Sequence, residues 1–210
     1  MSDAKTKKLA RLGVRDSKLL TPKKREYLFD EIQSLADDVK VYAIANGEIN
    51  EAMNRKISLN ELEAMHFAKL IDQVGIDLDR IYLDSPDVIS ERFGMRISLL
   101  SKKPMMVEGV KTPRGKRGEK RIHVVSEHKA DLRYPVVSSA SIIAKVTRDR
   151  AMAKIEDSVG IELGSGYPSD HVTVDAIRAS LGTNTIRPYV REYWKTLTLI
   201  RQMKIGDYFR

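Results

Sequence analysis

Apolar positions recur with helical spacing over residues 21–37, where Tyr27, Leu28, Ile32 and Leu35 form a stripe. Thr21 is suited to cap that helix and Pro22 to open it. The period then changes. Residues 39–45 (VKVYAIA) alternate and are rich in β-branched side chains, which predicts a strand. A second helix is punctuated by Ser58 and Glu61 as a capping box, by Leu62, Met65, Leu70 and Val74 as apolar positions, and by Gly75 as a terminator. Short strands follow at 80–83 and 122–125, with a turn at Ser85-Pro86-Asp87 leading into a further helix. A long helical pattern covers 136–159 and stops at Gly160. Two more helices are expected at 171–181 and 188–203. Strands interleaved with helices, followed by a helical C-terminal third, predict an α/β fold.

Composition narrows the classes. The 210 residues are 42% hydrophobic, enough for a core, and no apolar run is long enough to span a bilayer. No secretory signal opens the chain, and the absence of cysteine removes disulfides, thiolate metal ligands and thiol nucleophiles. A net charge of +8 favours an anionic partner. That charge is concentrated. Between residues 102 and 121, Lys102, Lys103, Lys111, Arg114, Lys116, Arg117, Lys120 and Arg121 face only Glu108 and Glu119. Gly115 and Gly118 make this segment a loop, read as the tip of a hairpin returning through 122–125. It is either a solvated loop or a contact for a phosphate backbone.

Two aspartates stand at strand ends. Asp84 closes the strand at 80–83, and Asp131 lies between the strand at 122–125 and the long helix. Carboxylates there can converge in the crevice where open α/β sheets bind ligands, and a converging pair can hold a hard divalent cation. Asp after a strand also serves simply as a turn or cap residue. The four histidines (66, 123, 128 and 171) show no ligand spacing.

Six segments, in order, decide between these readings. They are Val14-Arg15-Asp16-Ser17-Lys18-Leu19-Leu20-Thr21-Pro22, Leu59-Asn60-Glu61-Leu62-Glu63, Ile81-Tyr82-Leu83-Asp84-Ser85-Pro86-Asp87, Glu127-His128-Lys129-Ala130-Asp131, the run SSASIIAKVTRDR at 138–150, and Gly164-Ser165-Gly166-Tyr167-Pro168-Ser169-Asp170. Together they resemble ribonuclease HII of the archaeal type. The resemblance implies an endonuclease that cuts the RNA of RNA/DNA hybrids and single ribonucleotides embedded in duplex DNA. It implies metal-activated water, Mg²⁺ or Mn²⁺ as cofactor, and 3′-hydroxyl and 5′-phosphate products. Asp84 and Asp131 match the third and fourth of the family's four metal carboxylates. Tyr167 matches the tyrosine that stacks on the sugar at the DNA–RNA junction. Lys18 and Asn60 match positions that approach the phosphate backbone, and Lys129 lies beside the metal site.

The resemblance also implies a ribonuclease H-like mixed sheet flanked by helices, with a catalytic core over 1–160, a helical part over 161–200 and a tail over 201–210. The family's opening strand, with its Asp-Glu-Ala-Gly-Arg-Gly motif, has no counterpart here. The first two metal carboxylates and two interior strands are therefore expected to be missing, as in an N-terminally incomplete chain. In the tail, Gln202, Ile205, Tyr208 and Phe209 resemble a sliding-clamp-binding box. A cytoplasmic monomer is the expected form. The alternative is a catalytically inactive protein that binds hybrids or associates with the clamp.

Overall fold

The computed structural model describes residues 1–14, 19–111, 119–180, 183, 185–194 and 197–198. The helices are α1 (Asp3–Arg11), α2 (Pro22–Leu35), α3 (Asn46–Asn54), α4 (Leu59–Gln73), α5 (Ser90–Leu100), α6 (Ala130–Arg133), α7 (Pro135–Val159) and α8 (His171–Ser180). The strands are β1 (Arg80–Asp84), β2 (Met105–Val107) and β3 (Ile122–Glu127). Contacts divide the chain into two units. One is Met1–Tyr42 with Asn60–Val146, and the other is Ala43–Leu59 with Thr147–Arg210.

The first unit contains the sheet, ordered β1-β3-β2 with both pairings parallel. The expected hairpin into β3 is not formed. β2 and β3 run the same way, with Met105 opposite Ile122 and Val107 opposite Val124. β3 is central, and its Ile122, Val124, Val125 and Ser126 are buried, as in a strand covered on both faces. Residues 39–45 are not a strand. The alternation is present, but among the described residues no neighbouring strand offers a ladder, and a strand without a partner leaves its backbone groups unpaired.

Helix α5 covers the sheet. Its Phe93 and Ile97 are fully buried with Val107, Val124 and Leu83. Gly94 permits the approach: a Cβ there would stand 3.0 Å from the Ser126 Cβ and 3.1 Å from the Val107 Cγ1. The same cluster includes Ala64, Ala68 and Ile71 of α4. The buried residues of α4 are Leu62, as expected, with Ala64, His66, Ala68 and Ile71, whereas Met65 and Leu70 are only half-buried. Small alanines let the helix come close, a role that a search for large apolar residues overlooks. Gly75 does not act as a left-handed cap. Val74 instead donates to the Ile71 carbonyl at 3.2 Å, tightening the last turn.

A second core in this unit joins Leu9, Leu28, Phe29 and Ile32 to Ile142, Ile143 and Val146 of α7. Phe29 is the buried aromatic of α2. Tyr27 is exposed, with the Lys24 ammonium 4.6 Å from its ring centroid. Thr21 caps α2 as expected, accepting from the Lys24 N–H.

The second unit has its own core of Leu163, Ala176, Ile177, Ile186 and Leu197. Gly160 follows α7 at φ +66°, the left-handed stop expected of it. The helix expected over 188–203 is not continuous. A 3₁₀ turn spans Arg187–Tyr189, and Val190 is extended. The break has a cause: the Asn50 amide of α3 donates to the Val190 carbonyl at 3.2 Å and accepts the Glu192 N–H at 3.0 Å. Those bonds outcompete a helical ladder. Helical backbone resumes at Leu197 and Thr198.

Candidate active site

Both candidate carboxylates lie in the first unit: Asp84 ends β1, and Asp131 lies in α6, just beyond the end of the neighbouring β3. β1 pairs with β3 so that Asp84 stands opposite Glu127, and the Ser85 N–H continues the ladder to the Glu127 carbonyl at 2.9 Å. The exposed Asp84 turns one oxygen, Oδ1, to the N–H of Ala130, 3.0 Å away. Ala130 opens α6, and Asp131 is the next residue in that turn. One hydrogen bond therefore links the end of β1 to the residue preceding the second carboxylate. Lys129 makes the approach possible by adopting a left-handed conformation at φ 55°, which folds the chain sharply from β3 into α6. Its side chain is exposed. On the other side of α6, the Ser138 hydroxyl donates to the Asp131 carbonyl, fixing the helix to α7.

Tyr82 and Tyr134 lie alongside, their ring centroids 4.3 Å apart. Burial raises the Tyr134 phenol above its ordinary value, and the Glu127 carboxylate adds to the effect. Glu127 is held by Arg133 at 2.7 Å. His128 is exposed, and its Nε2 lies 2.7 Å from the Asp87 carbonyl, so it serves the turn after β1.

The turn is anchored by Asp87. Its carboxylate accepts the Asn60 amide at 2.6 Å and the Arg96 guanidinium at 3.1 Å, while its N–H donates to the Ser85 hydroxyl at 3.3 Å. Arg96 also reaches Glu61 at 3.0 Å. Asn60 is thereby fixed to the segment carrying Asp84. Its position in the first turn of α4 was legible, but the partner sits 27 residues away and left no local signal.

Among the described residues no group of three or more His, Asp or Glu gathers closely enough to hold a metal ion. Asp84 and Asp131, the two candidates, would supply at most two carboxylates to a metal ion. Such a set fits a hard cation that keeps most of its waters, as Mg²⁺ does when it binds one or two carboxylates and substrate phosphates. It does not fit an ion caged by protein alone.

The basic segment is partly spent on internal contacts. Lys120 pairs with Asp77 at 2.6 Å and Asp79 at 2.9 Å, which pushes its ammonium up to about 12 and lowers Asp77. Lys103 donates to the Val74 carbonyl at 2.6 Å and Arg121 to the Met105 carbonyl. Arg114, Lys116 and Arg117 lie outside the described residues, as do Lys18 and the tail residues Gln202, Ile205, Tyr208 and Phe209.

In the second unit Tyr167 is presented on a tightly held loop. Glu156 Oε1 accepts the Leu163 and Gly164 N–H groups at 2.7 and 3.1 Å. Asp170 takes the Ser165 N–H at 2.6 Å and the Val172 N–H at 3.0 Å, and these bonds, led by those from Ser165, lower its carboxyl to about 2. Thr173 donates to the Leu163 carbonyl and accepts from the Gly166 N–H. Tyr167 is 45% exposed, and the Arg148 guanidinium carbon lies 4.0 Å from its ring centroid. Asp170 and Thr173 could have been found as the cap and first turn of α8. Glu156 and Arg148 sit far along α7 and could not.

A parallel sheet with helices packed on it places the chain in the ribonuclease H-like fold class. Residues 1–197 match the family model described as Ribonuclease HII. The Ribonuclease HII of Thermococcus kodakarensis is 40% identical, over 97% of this chain and 86% of that protein. That of Pyrococcus furiosus is 38% identical over 93% and 78%. Among solved structures, the ribonuclease H2 from Pyrococcus horikoshii OT3 superposes with a TM-score of 0.79 at 37% identity, over 97% of this chain and 87% of that one. The PCNA:RNase HII complex from Archaeoglobus fulgidus gives 0.77 at 33%, over 96% and 87%. The chain belongs to the ribonuclease HII family, whose activity is cleavage of the RNA strand in RNA/DNA hybrids. No helix among the described residues is long and apolar enough to cross a membrane.

Proposed function

We propose that this protein hydrolyses the RNA strand of RNA/DNA hybrids and also cuts at single ribonucleotides embedded in duplex DNA, leaving 3′-hydroxyl and 5′-phosphate ends. The observation that carries the reading is the Asp84–Ala130 hydrogen bond, which ties one strand-end carboxylate to the turn that bears the other. Asp84 and Asp131 would hold Mg²⁺ or Mn²⁺. Divalent metal bound there supplies an acidified water and neutralises charge on the phosphate. Asp84 and Asp131 contribute fixed negative charge and oxygen donors, and α6 holds them in register with the sheet.

Lys129, Asn60 and Lys18 contact the nucleic-acid backbone in this reading. Asn60 is suited to it because Asp87 fixes its amide, so little side-chain freedom is lost on binding. In the second unit, Tyr167 offers an exposed aromatic surface for a sugar at the DNA–RNA junction. The tail residues Gln202, Ile205, Tyr208 and Phe209 dock on a sliding clamp, a partner consistent with the PCNA complex of the Archaeoglobus fulgidus relative. The core over 1–160, the helical part over 161–200 and the tail over 201–210 divide these tasks in a cytoplasmic monomer.

The test is a cleavage assay on two duplexes, one a continuous hybrid and one with a single ribonucleotide, each with Mg²⁺ and with Mn²⁺. The 210-residue chain is compared with a version preceded by an Asp-Glu-Ala-Gly-Arg-Gly strand. Cleavage of both duplexes on the 5′ side of a ribonucleotide, giving 3′-hydroxyl ends, supports the reading. Binding of both duplexes by both versions without any cleavage overturns it in favour of a hybrid-binding protein.

A further inference from the structure

We propose that Arg148 is a positioning residue for Tyr167, clamping one face of its ring so that only the opposite face meets the substrate; this rests on the reading of Tyr167 as a sugar contact. Two contacts fix the guanidinium against the loop. Its Cζ lies 4.0 Å from the Tyr167 centroid, within range for a cation–π contact, and its Nη2 donates to the Ser165 carbonyl at 2.7 Å. The loop is shaped to receive it. Gly166 is left-handed at φ +69°, and a Cβ there would meet the Met152 Cε at 2.9 Å and the Arg148 Nη2 at 3.1 Å. Gly164, at φ +64°, would place a Cβ 2.7 Å from the Asp170 carboxylate that holds the Ser165 N–H. Each glycine removes a side chain at a point where the loop closes on its clamps.

The consequence for recognition is geometric. An exposed tyrosine on a loop normally samples several rotamers and offers two faces. Here the guanidinium covers one face, and its hydrogen bond holds both groups to one backbone segment. The ring is pre-organised, so a sugar can pack against it without first paying to order it. Lysine cannot reproduce this arrangement, because its ammonium lacks the planar fork that stacks and donates at once.

The test is a double-mutant cycle read as the dissociation constant for a duplex with one DNA–RNA junction, using Arg148→Met, Arg148→Lys, Tyr167→Ala and the Arg148→Met/Tyr167→Ala pair. Hydrogen exchange of the 163–170 amides reports whether each variant keeps the loop. Tyr167→Ala and Arg148→Met are each expected to weaken binding about 3- to 10-fold, with the pair no weaker than Tyr167→Ala alone. Arg148→Lys should fail to restore affinity even if its loop exchange is normal. Additive losses in the pair, or full affinity in either Arg148 variant, would overturn the positioning role while leaving Tyr167 as a contact. Full affinity in Tyr167→Ala would instead overturn the reading on which the proposal rests.

Discussion

The carboxylate of Asp84 accepts the backbone N–H of Ala130 at 3.0 Å, so the last residue of β1 caps the short helix that carries Asp131. An asparagine at 84 retains an oxygen that can make the same bond. Asp84→Asn therefore removes charge while keeping the turn. In a chain that cleaves hybrids, this change is expected to lower the cleavage rate on the order of 100-fold or more, since metal-assisted charge stabilisation amounts to several kcal/mol. Hybrid affinity, measured by anisotropy, should change little. Asp131→Asn should behave alike, and near-parental turnover in either would remove that residue from the site.

Asp87 is the second polar anchor. Asp87→Ala strands the Asn60 amide and one arm of the Arg96 guanidinium. The expected loss of stability is about 1–3 kcal/mol, read from urea unfolding, because half-buried polar groups lose their partner without being removed. Hybrid affinity should fall with it. Unchanged affinity would mean that Asn60 needs no fixing.

Gly94 and Gly47 make a matched pair. A methyl at Gly94 is forced against Ser126 and Val107, whereas one at Gly47 in α3 meets nothing within 4 Å. Gly94→Ala should cost about 1–3 kcal/mol through overpacking. Gly47→Ala should be neutral or add up to about 1 kcal/mol through helix propensity. Differential scanning calorimetry distinguishes the two.

Acid should open the Tyr167 loop late. The Asp170 carboxyl is held down to about 2, below the 3.8 of a free side chain. Stability from a depressed carboxyl is complete above the unfolded value and is lost as pH falls through the folded one. Loop amides should thus stay protected at pH 4 and lose protection between about 3.8 and 2. Asp170→Asn should remove that pH dependence. Carbon-13 titration of the Asp170 carboxyl provides the direct check, and a midpoint near 3.8 would contradict the bonding described.

The helices with strong local signals were legible. Thr21-Pro22 opens α2, and the pattern before Gly160 marks the end of α7. The errors came where distant partners decide. Residues 39–45 alternate as a strand does, yet a strand exists only where another lies beside it. Residues 188–194 look helical until the Asn50 amide, far away in the chain, takes up their backbone groups. The site divides the same way. Asp84 and Asp131 stand out at strand ends, whereas Asp87, Glu156 and Arg148 acquire meaning only through contacts across the fold.

The parallel pairing of β2 with β3 limits how this chain can vary. Antiparallel neighbours can be joined by two residues, but strands that point the same way require the link to travel back to its starting end, usually over a dozen residues or more. The basic stretch between Val107 and Ile122 is therefore also a tether with a minimum length. Arg121 at its end also fastens to the Met105 carbonyl of β2, and trimming the link to a tight turn would pull β2 off the edge. A family member with a shorter segment here must either give up that edge strand or reverse it.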